Sequence, residues 1–353
     1  MKILFLTRFG QLGASSRLRL LQYLPWFHGA DFETICPLFN DAMLLRKYRD
    51  GSYILLALLS AYWWRILTLL GAHKYDLVWI EKEALPFFPA WLEKWLLRRV
   101  PYALDFDDAI FHNYDLHGSA WVRAFYGRRI DSLMKDARLV IAGNRYLANR
   151  AVSAGARWIE VIPTVVDLAR YPAKQTYSDT TKLRVVWIGS PFTVQYLLEL
   201  AEPLCVLSKR QPFTLRVIGG GAITMPGVDV ESLPWSSDTE ADDIAECDVG
   251  IMPLRDTPWE QGKCAYKLIQ YMVCGLPSVA SPIGANRDVV IDGETGFFAD
   301  TADAWIEKME LLLSDAALRR RLGRAGRARV EAEYCLQQTA PRLVRLLSET
   351  EGE

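Results

Sequence analysis

Short apolar runs rich in β-branched and aromatic residues recur along the chain, each followed by a longer stretch with helical spacing of its apolar positions. That alternation predicts strand–helix units feeding parallel sheets. In the first half strands are expected at 3–7, 32–36, 77–81, 103–106, 139–142 and 159–162. The polar segment 171–182 (YPAKQTYSDTTK), low in large aliphatics and carrying Pro172, reads as a linker. The alternation then restarts, with strands expected at 184–188, 214–218, 228–231, 249–253, 278–280 and 296–298. Two doubly wound α/β domains follow, each binding ligand at the carboxyl ends of its strands. The expected domains are 1–167 and 168–330, and the terminal helix pattern within 331–353 is free to pack back on the first domain.

One stretch departs from this rhythm by excess. YILLALLSAYWWRILTLL at 53–70 is interrupted by a charge only at Arg65. Length alone admits a membrane-crossing helix, but the stretch sits inside a βα series that would then continue across the bilayer. A helix lying on a membrane surface fits better. Arg46, Lys47 and Arg49 precede it, Trp63 and Trp64 suit an interfacial belt, and WLEKWLLRRV at 91–100 repeats the aromatic and basic theme. A long core helix packed on the sheet is the alternative.

Composition supports two cores: 353 residues, 51% hydrophobic and 24% charged. The net charge of -1 hides an asymmetry, because the first 167 residues carry more Lys and Arg than Asp and Glu and the remainder carries fewer. The first half is therefore the one suited to an anionic surface. It also holds most of the tryptophans, among them Trp26, Trp91, Trp95 and Trp121. The six cysteines show no CxxC pair, which points to reduced thiols in a cytosolic protein. The start, MKILFLTRFG, has an apolar run too short for a signal-peptide core. No nucleic-acid partner is expected.

Candidate chemistry gathers at the expected strand ends. In RFGQLGASSR, Gly10 and Gly13 permit a tight turn, while Ser15, Ser16 and Arg17 offer donors to phosphate or sugar hydroxyls. The loop is no dinucleotide fingerprint: GxGxxG is absent and the second strand closes with Ile35, Cys36 and Pro37 rather than an acid. LDFDDAIF carries Asp105, Asp107 and Asp108, formally a DxD. Strand alternation puts Asp105 and Asp107 on one side and Asp108 on the other. Asp107 or Asp108 is preferred as an acceptor-side polar residue over a metal ligand, and His112 and His117 are read as surface histidines.

In the second half, WIGSPFT places Gly189, Ser190 and Thr193 where a strand opens into a helix, a setting suited to phosphate. Gly219–Gly221 read as a turn. WEQGKCAYKLIQYM spaces Lys263, Lys267 and Gln270 at i, i+4 and i+7, which on one helix face would address a diphosphate and a ribose. A solvated charged face is the alternative. SPIGANRD adds Gly284, Asn286 and Arg287.

The stretch YKLIQYMVCGLPSVASPIGANRDVVIDGETGFF at 266–298 resembles the helix, Gly-x-Pro, buried strand and glycine loop of the retaining GT-B glycosyltransferases of family 4. VIPTVVD at 161–167 is similar to that family's interdomain IPNGVD. The resemblance extends over essentially the whole chain. It implies two Rossmann-like domains with an interdomain cleft, a nucleotide-sugar donor held by the second domain, an acceptor held by the first, retention of anomeric configuration, and no required metal or other cofactor. Where the family carries Glu-x7-Glu, this sequence has Gly262 and Gln270, with Glu260 displaced by two residues, and the loop 190–198 lacks the family's cations.

The resulting expectation is a cytoplasmic enzyme attached peripherally to the inner face of the cell membrane. It would transfer sugar from a nucleoside diphosphate to a lipid-linked or polysaccharide acceptor. Lys267 with Asp107 and Asp108 would be catalytic. Gly189, Ser190, Thr193, Glu260, Lys263, Lys267, Gln270 and Gly284 would hold the donor; Gly13 and Arg17 would face the acceptor. A degenerate binding module without catalysis is the alternative, and an epimerase or phosphorylase on the same fold a third.

Overall fold

The computed structural model describes residues 1–27, 34–172, 174 and 182–350. They form two compact units. The first comprises Met1–Thr164, Gln261–Cys264 and Thr339–Glu353, and the second Val165–Glu260 and Ala265–Gln338.

The first unit is built on β1 (Ile3–Thr7), β2 (Thr34–Pro37), β3 (Leu77–Glu81), β4 (Tyr102–Phe106), β5 (Leu139–Ala142) and β6 (Ile159–Val161). All pair in parallel in the order β2-β1-β3-β4-β5-β6. Every residue of β1, β3 and β4 is buried, as expected when helices cover both faces of a parallel sheet. Trp79 anchors one face, with Phe5 at 5.4 Å and Tyr23 and Phe27 each at 6.2 Å between ring centroids. The expected strand at 32–36 is seen from Thr34 onward, since Phe32 lies outside the described residues, as does most of the linker 171–182.

The second unit carries β7 (Leu183–Ile188), β8 (Phe213–Ile218), β9 (Asp229–Leu233), β10 (Val249–Met252), β11 (Ser278–Ala280) and β12 (Gly296–Phe298). Their order is β12-β11-β10-β7-β8-β9, again all parallel. Period-2 alternation sends Val186 and Ile188 into the core that holds Leu268 and Met272, and Trp187 into the opposite one with Leu197 and Trp305. All six cysteines are free thiols.

Among the described residues, three α-helices lie between β1 and β3 along the chain. Asn40 caps α2 (Asp41–Asp50), accepting from the Met43 amide; α1 is Ala14–Arg19 and α3 is Leu55–Leu70. Helix α3 is turned inside out. Its one charged residue, Arg65, is 3% exposed and donates to the carbonyls of Thr7 (2.7 Å) and Cys36 (2.8 Å). Meanwhile Leu56, Trp63 and Trp64 are 77%, 61% and 66% exposed. Burial pulls the Arg65 guanidinium down to about 10, still charged at neutral pH. The core-helix alternative is therefore overturned: only Arg65 and Leu69 of α3 are buried. Among the described residues no helix is long and apolar enough to cross a membrane.

Candidate active site

In a doubly wound sheet the ligand crevice opens at the carboxyl ends of the strands where the order reverses. In the second unit that point lies between β7 and β10. Gly189 follows β7, its amide bonded to the Ile218 carbonyl at 2.9 Å. Lys267 enters from the first turn of the helix Tyr266–Val273 and lays its ammonium over the Trp187 ring, 4.1 Å from the centroid. A Cβ at position 189 would lie 2.8 Å from Lys267 Nζ. Glycine at 189 thus makes the room in which the ammonium reaches the strand end. A cation over an indole face is held in place by the ring quadrupole, at a cost in mobility but not in charge.

Glu260, on the short helix Pro258–Gln261, is buried and accepts from the hydroxyls of Tyr196 and Thr257. Burial and then this hydrogen bond push the Tyr196 phenol up. Gly284 sits in the turn after β11, where Asn286 ties the loop by donating to the Ser281 carbonyl at 2.9 Å.

The first unit has its reversal between β1 and β3, and there the chemistry is ionic. Lys82, the residue after β3, adopts φ 65° and turns its ammonium between Asp107 (2.9 Å), Asp108 (2.8 Å) and the Ser15 hydroxyl (3.1 Å). Burial disfavours the charges, but the carboxylates hold the Lys82 ammonium up and, despite burial, Lys82 and Ser15 hold the Asp107 carboxyl below the usual range. Glu81 accepts from the Arg8 amide (2.8 Å) and the Ser16 hydroxyl (2.6 Å), and burial raises its carboxyl. Beneath this layer Arg19 clasps Asp105 at 2.7 and 3.3 Å. Burial pushes the Asp105 carboxyl up to about 6, against the pull of Arg19.

Residues 41–164 match the family described as "Glycosyl transferase 4-like domain", and residues 182–315 the family described as "Glycosyl transferases group 1". The chain belongs to the group 1 glycosyltransferases. Its architecture is GT-B, shared with HepE of Anabaena, a structure solved in complex with UDP and glucose: TM-score 0.71, 17% identity, 99% of this chain and 100% of that one covered. A sucrose-phosphate synthase from Thermosynechococcus elongatus aligns with TM-score 0.68 at 15% identity, over 99% and 98% of the two chains. These likenesses are of fold. Over 71 residues the chain is 35% identical to the capsular polysaccharide biosynthesis glycosyltransferase CapM of Staphylococcus aureus, a stretch amounting to 20% of this chain and 19% of that protein.

Several residues of this group 1 glycosyltransferase stand elsewhere than their spacing implied. Lys263 is not on the helix face with Lys267. The helix begins only at Tyr266, after Ala265 in the left-handed region at φ 55°. Residues Gln261–Cys264 instead pack in the first unit, where Asn144 Nδ2 donates to the carbonyls of Gln261 (3.3 Å) and Lys263 (3.0 Å). This packing also explains the glycine in place of the family's first glutamate: a Cβ at 262 would sit 2.5 Å from Ala109 Cβ. Gln270 faces inward, 2% exposed, and donates to the Tyr171 hydroxyl at 2.9 Å, which in turn donates to Glu240 at 3.1 Å. Thr193 and Ser190 are engaged with each other: the Ser190 amide donates to Thr193 Oγ1 (3.0 Å), and that hydroxyl donates to the Ser190 carbonyl (3.1 Å).

In the first unit Asp107 and Asp108 converge rather than diverge, because β4 ends at Phe106 and alternation stops there. Asp105, the other half of the formal DxD, is committed to Arg19. Among the described residues no three His, Cys, Asp or Glu side chains stand together as metal ligands would. Arg17 braces its own loop through the Gln11 carbonyl at 2.9 Å, next to Gly13 at the start of α1. His112 is engaged by Asp115 (2.7 Å) and the Tyr146 hydroxyl (2.8 Å), and His117 accepts from the Ser119 amide (3.0 Å). Sequence reasoning missed Lys82 and Arg19. The available signal was the charge triplet Glu81, Lys82, Glu83 at the end of a wholly apolar strand.

Proposed function

We propose that this group 1 glycosyltransferase moves a sugar, with retention of configuration, from a nucleoside diphosphate to a lipid-linked or polysaccharide acceptor in cell-envelope or exopolysaccharide synthesis. The observation that carries the reading is Lys267, its ammonium fixed over Trp187 beside Gly189 at the reversal point of the second sheet. A fixed cation there would stabilise the departing diphosphate, the group on which negative charge develops in the transition state. The bond from the anomeric carbon to the diphosphate breaks, the bond to the acceptor oxygen forms on the same face, and the departing phosphate takes the acceptor proton.

Asp107 and Asp108, both paired with Lys82, would orient acceptor hydroxyls. The transfer is metal-independent in this reading, since Asp105 and Asp107 are each satisfied by a cation of the protein. The outward apolar face of α3 supports work at the cytoplasmic membrane surface. The relative CapM, named for capsular polysaccharide biosynthesis, agrees with such an acceptor.

The inward turn of Gln270 favours a second reading, a module that binds ligand without catalysis. Incubation with UDP-, GDP-, ADP- and dTDP-sugars plus a bacterial lipid extract, in EDTA, separates the two. Release of one nucleoside diphosphate with label entering the lipid or glycan fraction is expected; binding of a nucleotide without release of diphosphate would leave the module reading.

A further inference from the structure

Helix α4 (Ala90–Leu97) lies beside α3, and its Trp91 and Trp95, one turn apart, are 69% and 50% exposed. The outward apolar surface of α3 therefore continues onto α4. At the end of α4 a groove of about 1270 Å3 opens against the helix Arg129–Asp136 and the amino ends of β4 and β5. It lies at the opposite end of the sheet from Lys82, so it is no part of the site described above.

The lining of this groove is basic and aromatic. Lys94, Arg98, Lys135, Arg138 and Arg157 face it against only Asp136 and Glu349. Asp136 is bound to Lys94 at 2.6 Å, and Glu349 has Arg345 at 3.8 Å, so each acid is already faced by a cation. A surplus of positive charge remains. The Arg98 guanidinium stacks on Trp95, 4.6 Å from the ring centroid, which joins the charged groove to the aromatic face.

We propose that this groove takes the phosphate headgroup of an anionic phospholipid while the outer faces of α3 and α4 enter the acyl boundary. Guanidinium groups suit the phosphodiester, and tryptophans at the rim suit the depth where headgroup meets chain. A soluble anion would account for the cations alone; continuity with the exposed α3 and α4 surface selects a lipid. The proposal rests on the membrane-surface reading above, and its test separates the two.

Full-length protein is sedimented with phosphatidylcholine vesicles, with and without about a quarter phosphatidylglycerol, and separately titrated with monomeric dihexanoyl phosphatidylglycerol. Wild type should prefer the anionic vesicles by about tenfold or more, and should bind the short-chain lipid saturably. The double variant Arg98→Glu/Arg157→Glu should lose both the preference and the saturable binding while still sedimenting with neutral vesicles. Trp63→Ser/Trp64→Ser should lose vesicle binding and keep the short-chain site. Saturable binding unchanged in the arginine variant, or matched by inorganic phosphate, would overturn the groove assignment. Vesicle binding unchanged in the tryptophan variant would instead overturn the membrane-surface reading.

Discussion

The two doubly wound units place their chemistry at equivalent points and build it in opposite ways. At the reversal point of the first, an ion network dominates: Lys82 with Asp107 and Asp108, Arg19 with Asp105. At the reversal point of the second, Lys267 rests on an aromatic face beside a glycine. An ion network of the first kind holds its carboxylates in one geometry, and its removal is felt as stability. A cation seated over an aromatic face at a strand end, as Lys267 is, is suited to an anion that arrives from solution.

The comparison breaks most visibly at Arg19. Arg19→Met should leave the buried Asp105 without its partner and cost about 3–5 kcal/mol in urea unfolding. A loss below about 1 kcal/mol would mean that the first unit's ions are not structural.

Next in size is a pH effect. The Asp105 carboxyl, at about 6 in the folded chain, stands above its unfolded value near 4, so the folded state holds that proton more tightly. Its contribution to stability is full below the unfolded value and is lost as pH rises through about 6. Compared with Asp105→Asn, which cannot titrate there, wild type should lose about 2–3 kcal/mol between pH 4 and pH 7. A flat difference curve would show that Arg19 cancels burial in full.

Strands were legible because wholly buried parallel strands are written as apolar runs: β1, β3, β5 and β11 fall on their expected residues. Gly189 stands next to the end of such a run, whereas Lys267 was singled out by a helical spacing with Lys263 that the structure breaks at Ala265. What escaped was non-local or conformational. The meeting of Lys82 with Asp107 and Asp108 depends on a left-handed backbone after β3 and on β4 stopping at Phe106. The helix carrying Lys267 was extended too far towards Lys263, because nothing in the local pattern marks Ala265 as its left-handed start. The facing of α3 was hidden for a simpler reason. A helix apolar on all sides has no inner face until something fixes one, and here it is Arg65, bound to carbonyls at the ends of β1 and β2.

The central claim is that Lys267 and Gly189 mark the donor diphosphate site. It is tested most directly by thermal-shift titration of wild type and Lys267→Ala with UDP, GDP, ADP and dTDP in EDTA. One diphosphate should raise the wild-type melting temperature by mass action. In Lys267→Ala the ligand-free melting temperature should stay where it was, and affinity for that diphosphate should fall about tenfold or more, the worth of one charge-assisted contact. Equal stabilisation of both proteins, or a variant that unfolds without ligand, would contradict the account.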